Sequence, residues 1–246
     1  MFKMIYNIAR TELQMLFYSP VAWLILVVFG VQSGMLFADK LTGLLSSQEM
    51  GYNIEGSTIT IFASRWGGVF TTMQNYLYFY IPLLTMSLVS KELSSGSIRL
   101  LYSSPITNTQ IIVGKFFSMM IYGLIMIGIL FLITLCSWAV VKDFDLPMVL
   151  VGLLGLYLLI CSYAAIGIFM SSLTSYQIVA AIGTFAVLMV LSMIGGWWQD
   201  YDFIRDVTYW LSMPGRSGKF IAGLICSEDV LYFVIVVCLF LALTII

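Results

Sequence analysis

Two Gly-Lys pairs are the residues of this 246-residue sequence that come nearest to a nucleotide-binding motif. A phosphate-binding loop has the pattern G-x-x-x-x-G-K-[ST], in which backbone amides hold the phosphates. At Gly114-Lys115 the first glycine is replaced by Thr109, and phenylalanine follows the lysine. At Gly218-Lys219 the first glycine is replaced by methionine, and phenylalanine again follows. We therefore predict that this chain is not an enzyme and does not itself hydrolyse ATP.

The other reactive side chains do not form a catalytic or metal-binding pattern either. There is no histidine, the commonest metal ligand and general base. The four cysteines fit neither a disulfide framework nor a zinc site. The acid pairs Asp143/Asp145 and Asp200/Asp202 have i, i+2 spacing, which does not place two carboxylates on one helical face. We interpret them as solvated turn residues and expect no catalytic residue, metal or cofactor in this chain.

The composition is typical of a membrane protein. The chain is 61% apolar and 9% charged, whereas soluble domains carry about 25% charged residues. Its net charge of −1 provides no basic surface for nucleic acid, which we exclude as a partner. No polar segment is long enough to form a soluble domain, so we predict one all-α transmembrane domain over residues 1–246. Six apolar runs predict transmembrane helices at about 21–38, 69–90, 113–141, 148–171, 177–198 and 230–246.

An amphipathic helix is predicted before the first span, over residues 1–19. Lys3 and Arg10 lie on its polar face. Such a helix lies in the membrane interface rather than crossing the bilayer, so we expect it to contact lipid. Its apolar face is formed by Phe2, Ile5, Tyr6, Ala9, Leu13, Leu16 and Phe17.

The segment from Lys91 to Lys115 joins the second and third predicted spans and is rich in polar residues. Helical spacing places Leu93, Leu100 and Leu101 on one face of a short helix, which a proline at position 105 would end. A capping box, Thr107-x-x-Gln110, then predicts the start of the next helix. A solvated loop with a chance turn is the alternative that composition leaves open.

The pattern of this segment resembles the first cytoplasmic loop of ABC-2 type transporter permeases, and within them most closely the gliding-motility type. The resemblance rests on Glu92, Gly96-Ser97, Leu100-Leu101, Ser104-Pro105-Ile106 and Gly114-Lys115, and the hydropathy of the whole chain agrees with it. In that family the loop carries a coupling helix that docks on the ATPase subunit. The resemblance therefore implies that this subunit is contacted by Glu92, Leu93, Ser95, Gly96, Ser97, Arg99 and Leu100.

The resemblance also implies an exporter subunit in the cytoplasmic (inner) membrane. Two permease subunits, identical or different, would pair, and separate cytosolic ATPase subunits would bind ATP and Mg²⁺. The N-terminus would be cytoplasmic, with 91–112 and 172–176 inside and 39–68, 142–147 and 199–229 outside. Lys and Arg would then number five inside and six outside, so the positive-inside rule does not decide the orientation.

For two residues of this segment, the sequence supports more specific expectations. Glu92 would stabilise the first turn of the coupling helix, and would either face the ATPase or tie this helix to the N-terminal helix through Lys3 or Arg10. Gly96 would lie inside the helix, where glycine is costly, which suggests close approach by a partner backbone.

The outer segment 199–229 is half apolar. In ABC-2 permeases the corresponding segment forms short helices that dip back into the outer leaflet. The sequence predicts two such helices around Trp210, hinged at Pro214-Gly215.

Two other classes of protein remain as alternatives to a permease. An intramembrane enzyme would need titratable groups that converge at one depth, and apart from Lys115 at a helix entrance no predicted span contains a charged residue. A membrane anchor for a multiprotein complex would have the same docking surface but no path for a substrate.

Overall fold

The computed structural model describes residues 2–50, 56–64, 67–96, 106–140, 144–194 and 212–246. Within these ranges the chain forms helices and turns and no strand, which confirms the all-α prediction. A π-helical turn spans Ile59–Ala63. The α-helices are α1 (Phe2–Tyr18), α2 (Pro20–Glu49), α3 (Val69–Thr85), α4 (Ser90–Ser95), α5 (Asn108–Val140), α6 (Leu146–Ser172), α7 (Gln177–Met193), α8 (Met213–Ile221) and α9 (Ser227–Ile245).

Four helices in the described part of the chain are long and apolar enough to cross a membrane. They are Pro20–Ser47, Asn108–Ala139, Leu146–Ser172 and Ser227–Ile245, at the positions of the first, third, fourth and sixth predicted spans. Helices α3 and α7, at the other two positions, have 17 residues each. The chain is therefore a multi-pass membrane protein.

Helix α2 is longer than the predicted span 21–38, because it continues without a break to Glu49. The sequence analysis placed residues 39–68 in a loop, since Asp39 and Lys40 end the apolar run. Charged residues end an apolar run without ending a helix, because their helix propensities lie within about 0.7 kcal/mol of alanine. The prediction of a loop was therefore wrong for residues 39–49.

The start of α5 confirms the predicted capping box. The Gln110 amide donates to Thr107 Oγ1, and the Thr107 amide donates to Gln110 Oε1, both at 3.4 Å. Helix α5 begins at Asn108, before the predicted span of 113–141. As a result, Lys115 lies two turns inside the helix rather than at its entrance.

Helix α6 is the centre of the bundle and packs against α3, α5, α7, α8 and α9. In α6, 72% of the apolar stretch that could span the membrane is buried, compared with 22–33% in the other three candidate spans. Glycines allow the close packing: a Cβ added at Gly155 would overlap Phe220 of α8, and one at Gly167 would overlap Thr85 of α3. These contacts hold α3 and α8 directly against the central helix.

Candidate functional site

Helices α1, α4 and α5 meet at the ammonium group of Lys115, which is 1% exposed. Lys115 Nζ donates to Glu12 Oε1 at 2.5 Å, to Glu92 Oε1 at 2.7 Å and to the Leu88 carbonyl at 2.6 Å. A lysine ammonium has three N–H donors, so all three are used. We call Glu12, Glu92 and Lys115 the elbow cluster.

Gly114 is the residue that lets α1 approach α5 closely enough for this ion pair. A Cβ at position 114 would lie 2.7 Å from Ile8 Cγ2, which is closer than real Cβ atoms approach their neighbours. Because α1 crosses α5 here, the next turn of α1 brings Glu12 to Lys115. The Gly-Lys pair that does not match a nucleotide-binding motif therefore has a structural role. Gly114 lies where the two helices cross, and Lys115 forms the ion pair.

The beginning of α4 is fixed to the end of α6 by the buried hydroxyl of Ser171. This oxygen accepts from the Val89 amide at 3.2 Å and the Ser90 amide at 3.1 Å, and donates to the Met86 carbonyl at 3.1 Å. The first amides of a helix lack partners within the helix, and a side-chain oxygen normally supplies them. Here that oxygen comes from another helix, so α4 is mounted on α6 as well as on α5.

The seven residues predicted to contact an ATPase differ in position. Glu92 lies in the first turn of α4, as predicted, and is half-buried together with Leu93. Ser95 and Gly96 are exposed. Helix α4 ends at Ser95, so the expectation that it continues through position 100 was wrong. Outside the described residues lie Ser97, Arg99 and Leu100.

Gly96 has a different role from the one that the sequence suggested. Its φ is 71°, in the left-handed region that terminates helices and favours glycine, and a Cβ added there would meet nothing within 4 Å. The prediction that Gly96 lies inside the helix was therefore wrong, and close approach by a partner backbone stays a prediction.

The connection from Glu92 to the N-terminal helix exists, but not through the predicted residues. Lys3 and Arg10 are exposed. The connection runs from Glu92 to Lys115 and from there to Glu12. Lys3 and Arg10 were predicted because they are the basic residues of α1, whereas the lysine that pairs with α1 belongs to α5.

Sequence reasoning missed Glu12, although a signal was present. Glu12 follows Ala9 by three residues and precedes Leu16 by four, so it shares their helical face. All three are buried, whereas Phe2 and Tyr6, which belong to the apolar face predicted to contact lipid, are 89% and 65% exposed. An acid inside an apolar stripe indicates a buried partner, which is Lys115 here.

The environment of Glu12 disfavours its charge. Burial raises the pKa of this carboxyl, and the charge of Glu92 raises it further, while Lys115 and, more weakly, Lys91 lower it. The net effect is a raised pKa, because removal from water outweighs the ion pair with Lys115. The buried Glu12 carboxyl therefore holds a proton more tightly than an ordinary glutamate does.

Titratable groups do converge at one depth, in contrast to the expectation from the sequence. They are paired with one another, however, and every donor of the central ammonium is occupied. The arrangement binds α1, α4 and α5 together rather than presenting a nucleophile or a general base. The elbow cluster therefore connects the three helices.

Comparison with known families identifies the chain. The model of a family described as ABC-2 family transporter protein matches residues 6–199. The chain belongs to this family. No curated protein matches the chain. Membership makes it a membrane component of an ABC transporter that is not itself catalytic, and implies partnership with an ABC ATPase subunit. The matched range contains the whole elbow cluster of this ABC-2 chain.

A second buried ion cluster lies in the ABC-2 chain beyond the matched range. Arg216 Nη1 donates to Asp229 Oδ1 at 2.6 Å, and Lys219 Nζ lies 3.4 Å from Asp229 Oδ2. The guanidinium of Arg216 also lies 4.4 Å from the centre of the Tyr232 ring, within cation–π distance. We call Arg216, Lys219 and Asp229 the far cluster. It fixes α8 to the start of α9.

The far cluster lies at the opposite end of the bundle from the elbow cluster. Leu243, near the end of α9, lines a cavity of about 300 Å³ together with Glu92 and Lys115. Asp229 precedes Leu243 by fourteen residues, which is about 21 Å of helix. The ABC-2 chain therefore has one buried ion cluster near each end of its apolar layer.

The predicted hinge at Pro214-Gly215 was wrong. Both residues lie in the first turn of α8, whose start is capped by the Ser212 hydroxyl accepting from the Gly215 amide at 3.4 Å. Proline is tolerated in a first turn because its missing amide would have no partner there. Trp210 lies outside the described residues.

Proposed function

We propose that this chain is the transmembrane subunit of an ABC exporter of the cytoplasmic (inner) membrane. Two separate cytosolic ATPase subunits bind ATP and Mg²⁺, and two permease subunits, identical or different, form the path. The motion of the ATPases enters each permease at the exposed end of α4. The alternative is an anchor that binds the same partners without transport.

The elbow cluster is the observation that carries this proposal. A displacement of α4 would be transmitted to α1 and α5 through Lys115, and to α6 through Ser171. The contacts at Lys115 are buried and charged, so pulling one partner away would leave an uncompensated buried charge, which is costly. Ser95 and Gly96 lie next to them and are exposed. Together with the following segment, which contains Ser97, Arg99 and Leu100, they form the proposed docking surface.

We propose six crossings of the membrane, and the positions where the described helices begin and end support this number. Val21 at the start of α2 lines a cavity with Lys115, so α2 leaves from the elbow end, and α3 must return before α4. Helix α6 ends at the elbow with Ser171, and α9 starts at the far cluster, so α7 must cross between them. At 17 residues, α3 and α7 are each about 25 Å long, close to a hydrocarbon core of about 30 Å.

We assign the elbow end to the cytoplasm and the far cluster to the outside. This places the N-terminus inside and α8 in a segment that re-enters the outer leaflet, where Pro214 and Gly215 start its helix. Helix α1 lies along the inner interface, with Phe2 and Tyr6 toward lipid and Lys3 and Arg10 toward water or headgroups. Both aromatic side chains are exposed in the chain, which fits this placement.

Thiol labelling tests the orientation. Single cysteines would replace Ser95 at the end of α4 and Ser46 at the far end of α2, both exposed, in a cysteine-free background. An impermeant reagent should label position 46 in intact cells, and position 95 only after permeabilisation. Labelling of position 95 in intact cells would overturn the assignment.

Co-purification tests the partnership. Tagged chain isolated from native membranes should retain an ABC ATPase that hydrolyses ATP. Ser95→Trp should strongly reduce the recovered ATPase, whereas the matched variant Ser46→Trp should leave it unchanged. An assembly that lacks any ATPase would favour the anchor, and full ATPase recovery with Ser95→Trp would refute docking at α4.

A further inference from the structure

A cavity of about 380 Å³ lies between α1, the start of α2, α3 and α4. This volume lies within the range of about 300–1,000 Å³ that is typical of small-molecule sites. Two of its charged lining residues, Glu12 and Lys115, are more than nine-tenths buried. We call this space the α1–α4 cavity.

The lining of the α1–α4 cavity changes from apolar to polar along α3 and α4. Leu83 and Leu84 line its apolar part, Ser87 follows one turn later, and Lys91 and Ser95 line its end at the elbow. The rim is not closed, because Leu83 is 44% exposed, and Met15 and Val21, which also line it, are 48% and 39% exposed. The apolar part therefore opens toward the membrane, and the polar part lies at the interface.

Charges of both signs remain available for a ligand in this cavity. All three donors of Lys115 are already used, but two carboxylates share that single ammonium. Carboxylates accept up to about four hydrogen bonds each, so Glu12 and Glu92 retain acceptor capacity. Lys91 is exposed, lines the cavity and makes no ion pair with the described residues. The cavity thus offers one ammonium donor and surplus carboxylate acceptors.

We propose that the α1–α4 cavity binds the headgroup of a phospholipid that carries a primary amine. Lys91 binds the phosphate, Glu12 and Glu92 accept hydrogen bonds from the amine, and the acyl chains leave past Leu83 and Val21. A zwitterionic headgroup matches charges of both signs in one site. A primary amine, unlike a choline, has N–H groups to donate to the carboxylates. The site requires neither export nor ATP coupling.

Native mass spectrometry of the full chain in detergent tests the site. Phosphatidylethanolamine, phosphatidylcholine and phosphatidylglycerol with identical acyl chains would be titrated separately. We expect phosphatidylethanolamine to bind roughly tenfold more tightly than phosphatidylcholine, because hydrogen bonds to charged groups are lost with choline. Equal binding of the three lipids would overturn the proposal.

Two variants assign the binding to this cavity. Lys91→Gln should weaken phosphatidylethanolamine binding, whereas Lys3→Gln, which removes an exposed charge of α1 that does not line the cavity, should not. Glu12→Gln should reduce the preference for ethanolamine over choline. Equal effects of Lys91→Gln and Lys3→Gln would indicate only general attraction to the phosphate and would refute the site.

Soluble glycerophosphoethanolamine distinguishes a lipid site from a site for the free headgroup. If the apolar rim holds the acyl chains, this compound should not displace the lipid at matched concentration. Displacement at matched concentration would mean that the site recognises a water-soluble ligand, and would contradict the lipid assignment.

Discussion

Replacing Lys115 by methionine removes the centre of the elbow cluster while keeping the length of the side chain. Glu12 and Glu92 would then lie close together without a counter-ion, with side chains only 10% and 20% exposed. Removal of one partner from a buried ion pair costs about 3–5 kcal/mol. We expect the lower part of this range, because the raised pKa of Glu12 lets it take up a proton and lose its charge. For a domain of this size, 3 kcal/mol corresponds to about 6–12 °C in Tm.

Thermal unfolding in detergent, followed by size-exclusion chromatography, measures this loss. The control is Lys3→Met, which removes an exposed lysine of α1 that lies outside both the elbow cluster and the α1–α4 cavity, and should shift Tm little. The triple variant Lys115→Met, Glu12→Gln and Glu92→Gln should recover much of the loss, since no buried charge is left unpaired. The reasoning would be refuted if Lys115→Met and Lys3→Met had the same Tm, or if the triple variant were the least stable.

Three further changes test other parts of the account by the same measurement. Folding raises the pKa of Glu12, so the folded chain binds this proton more tightly than the unfolded chain does. The wild type should therefore gain stability relative to Glu12→Gln as the pH falls toward 4.5, the ordinary pKa of a glutamate. A stability difference between the two that does not change with pH would contradict this. Gly114→Ala should cost about 1–3 kcal/mol of stability, because the added Cβ pushes α1 away from α5. Gly128→Ala in the same helix should stabilise the chain by about 1 kcal/mol, because a Cβ there would meet no atom within 4 Å. Arg216→Met should lower the free energy of unfolding by about 3 kcal/mol, because the buried carboxylate of Asp229 loses its main partner. Lys219→Met should lower it by less than about 1 kcal/mol, because the Lys219 side chain is 35% exposed. Equal losses would show that the far cluster is not centred on the arginine.

The sequence predicts the helices well because a membrane leaves the backbone few choices. An apolar run that enters hydrocarbon must satisfy its amides and carbonyls internally, so it becomes a helix. The sequence predicts the positions where the helices end less accurately. Hydropathy marks where apolar residues stop, at Asp39, whereas the helix stops only where capping or a turn ends it, after Glu49. A local signal such as the Thr107-x-x-Gln110 box therefore predicts an end better than polarity does.

The elbow cluster could be predicted only in part, because its pairs depend on how helices pack. Glu92 in the first turn of α4 follows from local sequence, but its partner is 23 residues away, and Glu12 is 103 residues from that same lysine. Lys115 stood out as a charge next to an apolar run, without any indication of which acids would reach it. The far cluster was missed because Arg216 and Asp229 read as part of a polar loop, and only the packing of α8 buries them.

Distance measurement between spin labels tests the central claim that α4 and α1 move as one unit. Labels at Ser94 and Arg10 would report on the two helices joined by Lys115, and labels at Ser94 and Ser46 on opposite ends of the bundle, all at exposed positions. In the complex with its ATPase, addition of nucleotide should change the second distance and leave the first unchanged, and Lys115→Met should let the first distance vary. A nucleotide-dependent change between α4 and α1 in the wild-type complex would contradict the account.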